Sequence, residues 1–171
     1  MKAFLEHINS QNSESLRSEL QELYKSFEVV RNYYQIKFSG LKLNEQLLAA
    51  YQAQVTKAIY PNKHMEGGLD TEKVDRIVQQ LKSPSTMRYY IEVCLFATET
   101  CTDIANEYGG DFGEDFYIYF EELFDDVIQA IAKEELEGDY RIRLQEIANA
   151  ACDGYGHRDQ LQETFAEYFD E

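Results

Sequence analysis

Apolar side chains recur every three or four residues along nearly the whole chain of 171 residues. One such series runs from Leu16 through Leu20 and Leu23 to Phe27, and another from Leu47 to Ile59. This spacing places the apolar groups on one face of a helix, whereas a strand needs strict alternation, which is hard to find here. No Asn-Gly or Asp-Gly pair separates two β-branched runs as in a hairpin. The pattern therefore predicts an all-α protein.

Capping and breaking residues divide this pattern into seven to nine helices. The predicted N-caps are Ser13, Ser26, Asn44 and Asp70, and Ser83-Pro84 is a further start signal. We expect the helices to pack as antiparallel helical hairpins, in a bundle or a short helical-repeat-like array. In the version with nine helices, the predicted segments are 2–9, 14–25, 28–38, 45–60, 71–82, 84–108, 114–136, 139–151 and 158–169.

The length is that of one domain, so residues 1–171 are expected to form a single helical domain. The clearest loop is the polar, glycine-rich stretch from Asn62 to Gly68. A division into two lobes, 1–61 and 70–171 joined by loop 62–69, is the alternative.

Membrane and secretory classes fit the sequence poorly. The longest apolar runs have five residues, far below the ~20 that a membrane span needs. Cys94, Cys101 and Cys152 make an odd count without a Cys-x-x-Cys pair, and we interpret them as reduced packing residues. We therefore expect a cytoplasmic protein with no membrane segment. The sequence leaves the oligomeric state open.

Charge is distributed very unevenly along the chain. Residues 1–85 carry 11 basic and 10 acidic side chains, whereas residues 86–171 carry 5 basic and 22 acidic ones. Between Arg88 and Lys133 there is no basic residue at all. The net charge of −16 argues against direct binding to nucleic acid, because phosphate contacts need Lys and Arg.

Helix geometry at about 100° per residue predicts where these acids point. After Gly113 one side carries the apolar residues Phe116, Phe120, Leu123, Phe124, Val127 and Ile131. In the preceding helix the stripe runs from Tyr90 to Tyr108. The acids fall opposite, which predicts an outward carboxylate face over residues 92–126. Its members are Glu92, Glu99, Asp103, Glu107, Glu114, Glu121, Glu122, Asp125 and Asp126.

This carboxylate face has two interpretations, solubility or partner binding. Like charges at i, i+4 repel by roughly 0.2–0.5 kcal/mol per pair, so local stability does not explain them. We expect a non-enzymatic interaction module that presents the face to a basic protein partner. The alternative is a nucleic-acid mimic that inhibits a DNA-binding protein or nuclease. Duplex DNA carries one charge per ~1.7 Å, however, whereas acids at i, i+4 supply one per ~6 Å.

Motifs for catalysis are missing from the sequence. None of the three histidines has an acid three positions earlier, as a di-iron carboxylate bundle requires. There is no His-Glu-x-x-His, P-loop or Gly-x-Ser-x-Gly. We therefore predict no metal, no cofactor and no catalytic residue.

One polar cluster stands at the glycine-rich break at 154–156. Its members are Tyr155, His157, Arg158 and Asp159. The cluster either starts the last helix, with Asp159 favourable near the N-terminus, or forms a small site in a loop. A small hydrolase or transferase that uses carboxylates at 154–159 is the second functional alternative.

Several short motifs carry a family resemblance. They are Leu20-Gln21-Glu22-Leu23-Tyr24, Tyr60-Pro61, Asn106-Glu107-Tyr108-Gly109, Phe116-Tyr117, Gly154-Tyr155-Gly156 with Asp159, and Tyr168-Phe169. In these motifs the chain, from about residue 13 onward, resembles an uncharacterised all-helical bacterial family known only as a domain of unknown function. The family pattern tends to have Trp in place of Tyr155, and His where Arg158 stands here. The resemblance implies a helical fold and no particular activity.

Overall fold

The computed structural model describes residues 1–39, 43–60 and 68–169. These residues form nine α-helices and two short 3-10 turns, Pro84–Thr86 and Gly154–Gly156, and no strand is found among them. The predicted all-α fold is confirmed. The helices are α1 (Lys2–Ser10), α2 (Ser13–Ser26), α3 (Glu28–Ser39), α4 (Glu45–Ile59), α5 (Thr71–Gln79), α6 (Met87–Tyr108), α7 (Glu114–Lys133), α8 (Glu137–Ala150) and α9 (His157–Phe169).

Local start signals explain several of these boundaries. The Asn44 side chain accepts hydrogen bonds from the first amides of α4, and Asp70 does the same for α5, as predicted. Two predicted caps are wrong. Asn12, and not Ser13, caps α2 by accepting from the Ser15 amide at 2.8 Å. Ser26, the predicted N-cap of the next helix, is instead the last residue of α2, whose C-cap is Phe27.

The contacts within the chain divide it into two compact units, Met1–Lys42 (unit 1) and Leu43–Glu171 (unit 2). In unit 1, α2 and α3 pack as a hairpin. The division precedes α4 because that helix packs on α5 and α6. Most of the predicted loop 62–69 lies outside the described residues, which resume at Gly68.

Helix α6 is the centre of unit 2. It packs against α4, α5, α7 and α8, and α9 packs on α7 and α8. Thirteen of its 22 residues are buried, so burial extends around the helix and is not confined to the predicted stripe. Tyr108, predicted as the end of that stripe, is exposed. A helix surrounded in this way has little room for an outward acidic side.

Helix α7 has the predicted amphipathic form. The apolar side chains of its predicted stripe are buried, namely Phe116, Phe120, Leu123, Phe124, Val127 and Ile131, and the helix packs on α6 as a hairpin. Because this face packs in the core, the polar side of α7 faces α9 and solvent. Among the described helices, none is both long and apolar enough to cross a bilayer.

Candidate interaction site: an acidic groove between α7 and α9

A groove of about 310 Å³ lies between α7 and α9. On α7, the residues three, four and seven positions after Ile118 lie on the same face as Ile118. On α9, the residues four and seven positions after Gln160 lie on the same face as Gln160. The groove results from these two rows lying side by side where the helices pack. Its lining residues are Ile118, Glu121, Glu122 and Asp125 from α7, and Gln160, Thr164 and Glu167 from α9.

Four carboxylates and no basic side chain line this acidic groove. Asp125 accepts hydrogen bonds from the Tyr168 hydroxyl at 3.1 Å and from the Gln129 amide at 2.8 Å, so its orientation is fixed. Glu122 and Glu167 are exposed. Neutral donors orient the carboxylates without cancelling their charge, which leaves the groove suited to a cationic ligand.

The fourth carboxylate, Glu121, is held by a buried histidine. His157 Nδ1 lies 2.8 Å from Glu121 Oε1, and the imidazole has no exposed surface. Burial lowers the pKa of His157, although the Glu121 carboxylate opposes that shift by its hydrogen bond and charge. A neutral imidazole that donates from Nδ1 positions Glu121 and leaves its charge intact. The Nε2 atom has no hydrogen-bond partner among the described residues.

Two of the predicted carboxylates are not on the surface available to a partner. Glu92 and Glu99 point toward α8, where the Arg143 guanidinium binds both. Arg143 Nε and Nη2 donate to the two oxygens of Glu99 at 2.6 and 2.8 Å, and Nη1 donates to Glu92 at 2.7 Å. The Tyr140 hydroxyl donates to the other Glu92 oxygen at 2.7 Å. The expected outward direction is therefore wrong for these two residues.

The same cluster affects the arginine. Burial lowers the pKa of Arg143, but its hydrogen bonds and attraction to Glu99 and then Glu92 outweigh burial and raise the pKa overall. Side-chain exposure is 18% for Glu92, 34% for Glu99 and 28% for Arg143, so water screens these charges only in part. We interpret this cluster as structural, because it joins α6 to α8.

The remaining predicted carboxylates are spread over other places in unit 2. Asp126 pairs with Lys82 at 2.7 Å. Asp103 and Glu107 are exposed near the end of α6, where they add to burial in raising the pKa of Tyr60. Glu114 is exposed in the first turn of α7.

The structure thus replaces one continuous face over residues 92–126 by separate groups. It brings together Glu121, Glu122 and Asp125 and adds Glu167, which the sequence reasoning missed. The spacing of Gln160, Thr164 and Glu167 places the three on one face of α9 but does not say which helix that face meets.

The polar cluster at 154–159 has a structural explanation. Tyr155 stacks on Tyr117 with ring centroids 5.5 Å apart, and its hydroxyl donates to Asp111 at 3.0 Å. Arg158 Nε donates to the Ala151 carbonyl at 2.6 Å, and its Nη1 pairs with Asp153 at 2.7 Å.

Asp159 is exposed in the first turn of α9. None of Tyr155, His157, Arg158 and Asp159 lines the acidic groove. The contacts of Tyr155 and Arg158 instead fix the start of α9. In the described part of the chain, no three His, Cys, Asp or Glu side chains are placed to hold a metal ion.

Three motifs of the family resemblance meet at one end of unit 2, namely Asn106-Glu107-Tyr108-Gly109, Phe116-Tyr117 and Gly154-Tyr155-Gly156. Asn106 Nδ2 donates to the Ala150 carbonyl at 3.0 Å, and the Tyr117 hydroxyl donates to the Gly110 carbonyl at 2.6 Å. A Cβ added to Gly154 would lie 3.1 Å from that carbonyl, so a side chain there would require a shift of a few tenths of an ångström. The short motifs therefore set how α6, α7 and α9 come together.

These features define an acidic, all-α protein with an anionic groove on a helical core. The chain belongs to a family of unknown function, DUF6155, whose model matches residues 1–170. No curated protein and no solved structure matches the chain significantly.

Proposed function

We propose that this protein is a non-enzymatic interaction module that binds a basic segment of a partner protein in the acidic groove between α7 and α9. The observation that carries the proposal is the lining of four carboxylates without a basic residue. Unit 2 has 10 basic and 27 acidic side chains, so its long-range field also attracts a cationic partner.

The groove favours an amphipathic basic segment over a single ion. Ile118 provides an apolar surface beside the carboxylates, and Gln160 and Thr164 provide hydrogen-bonding groups on the opposite wall. A helix or strand with lysines or arginines on one side and an apolar residue between them can contact all three kinds of group. The three cysteines are free thiols, which is typical of a protein in a reducing compartment, so we expect the partner to be cytoplasmic.

The two other functions proposed from the sequence have less support. A nucleic-acid mimic needs a dense row of free carboxylates on adjacent helices, but Glu92 and Glu99 are bound by Arg143. An enzyme at the 154–159 break needs reactive groups open to a substrate. There His157 is buried and Arg158 is engaged by the Ala151 carbonyl and by Asp153, while the carboxylate Asp159 is exposed without lining the acidic groove.

The test is an NMR titration of the full-length protein with a synthetic helical peptide of lysines and leucines. We expect shifts in the amides of residues 118–125 and 160–167. The double variant Glu122→Gln/Glu167→Gln keeps side-chain size and removes two charges. Its affinity is expected to fall on the order of tenfold, at up to about 1 kcal/mol per exposed charge.

The matched control is Glu134→Gln/Glu146→Gln, which removes the same charge from exposed positions at the end of α7 and on α8 that do not line the groove. We expect this variant to bind almost as the wild type does. Equal losses in both double variants, or shifts spread over all acidic surfaces, would show attraction to net charge alone and contradict a groove site. The peptide also has to lose affinity in high salt, because exposed charges are screened there.

A further inference from the structure

Unit 1 exposes an unusual amount of apolar surface for its size. None of the residues in α1 or α2 is buried. Nine large apolar side chains besides Met1 are 38–76% exposed, namely Phe4, Leu5, Leu20, Leu23, Tyr24, Phe27, Val29, Tyr33 and Phe38. At ~200 Å² for each full side chain, the seven between Leu20 and Phe38, on the α2–α3 hairpin, leave on the order of 700 Å² of apolar surface. A standard protein interface buries ~800 Å² per partner.

Part of this surface forms a groove within the α2–α3 hairpin. The groove holds about 240 Å³ and is lined by Leu20, Gln21, Tyr24, Lys25, Tyr34 and Phe38. Phe38 is 76% exposed at its edge. The hairpin thus carries both an apolar recess and a protruding aromatic ring that a recess of this kind can accept.

The charge of unit 1 distinguishes between occupants. It has 6 basic and 5 acidic side chains, in contrast to the 10 and 27 of unit 2. Two copies that met through unit 2 would bring two strongly anionic surfaces together, whereas two copies that meet through unit 1 avoid this repulsion. A nearly neutral surface also offers no particular attraction to a strongly acidic or basic partner.

We propose that unit 1 is a dimerisation element in which the α2–α3 hairpins of two copies of this chain pair about a two-fold axis into a four-helix bundle. In such an isologous interface each groove is covered by the other copy, and the Phe38 ring of one copy enters the groove of the other. A unit of about 40 residues is near the size below which chains usually need oligomerisation to fold stably, and pairing two hairpins produces a four-helix bundle.

The test is the mass of the full chain in solution, measured by sedimentation equilibrium from about 1 μM to about 100 μM. We expect twice the 20.0 kDa mass of one chain. Phe38→Glu and Leu20→Glu each place two carboxylates in the dimer interface and should raise the dissociation constant on the order of 100-fold or more. Circular dichroism checks that both variants keep their helix content.

Ile142→Glu is the matched control, because Ile142 is 75% exposed on α8 in unit 2. It should leave the dimer unchanged. A wild-type mass of 20.0 kDa at every concentration would overturn the proposal. So would a dimer that withstands both unit 1 variants, or one that Ile142→Glu weakens equally. Apolar association persists at about 1 M salt while binding in the acidic groove weakens, so the two proposals fail independently.

Discussion

The cluster around Arg143 provides the sharpest test of the structure. Arg143→Met keeps the apolar stem but leaves Glu92 and Glu99 without their cation in a partly buried place. Losing one partner of a buried pair costs about 3–5 kcal/mol, and losing one of an exposed pair ~0–1 kcal/mol. With the three side chains only 18–34% exposed, we expect a loss of about 2–3 kcal/mol. The melting temperature should fall by roughly 5–10 °C for a domain of this size.

The measurement is urea unfolding at pH 7 with Arg76→Met as the control. Arg76 pairs with Glu72 at 3.6 Å on the surface, with side chains 62% and 88% exposed, so its loss should cost less than about 0.5 kcal/mol. Adding Glu99→Gln to Arg143→Met should cost at least about 1 kcal/mol less than the two separate losses predict. Arg143→Met unfolding no more easily than Arg76→Met would refute this account of the cluster.

Three further predictions concern single contacts of unit 2. Burial lowers the pKa of His157 below that of the unfolded chain, so the unfolded chain binds more protons as the pH falls below about 6.5 and stability is lost. His157→Gln should reduce this loss in urea titrations at several pH values, and identical pH slopes in wild type and His157→Gln would count against it. Gly138→Ala, with nothing within 4 Å of the new Cβ, should stabilise by roughly 0.5 kcal/mol in thermal unfolding, whereas Gly154→Ala should destabilise because of the 3.1 Å approach to a carbonyl. Tyr140→Phe should cost about 1 kcal/mol by losing its hydrogen bond to Glu92, and an unchanged urea midpoint would show that bond to be unimportant.

Amphipathic periodicity predicts a helix well when one of its sides is covered. Helix α7 has this environment, and its buried face matches the predicted stripe. Helix α6 is covered on several sides, so its polar residues did not mark an outer face. Thr98 and Thr100 are buried because their hydroxyls donate to the carbonyls of Cys94 and Phe96, which satisfies them within the helix.

The candidate site was predictable only in part for a related reason. Periodicity gives the direction of a side chain around its own helix, but not the identity of the neighbouring helix. Glu99 and Glu121 both lie opposite an apolar stripe, yet the first meets Arg143 of α8 and the second meets His157 of α9. The contribution of Glu167 depends on how α9 packs along α7, which no pattern within either helix specifies.

The central helix of unit 2 also lies midway along its sequence. Helices α4 and α5 come before α6 in the chain, whereas α7 and α8 come after it. All four pack on α6. During synthesis, α4 and α5 leave the ribosome before the helix that covers them is complete. The later helices then meet a surface that is already half assembled. Unit 2 therefore cannot reach its native packing until residues 87–108 have been synthesised. A nascent chain that stalls before that point leaves apolar side chains exposed, which favours aggregation.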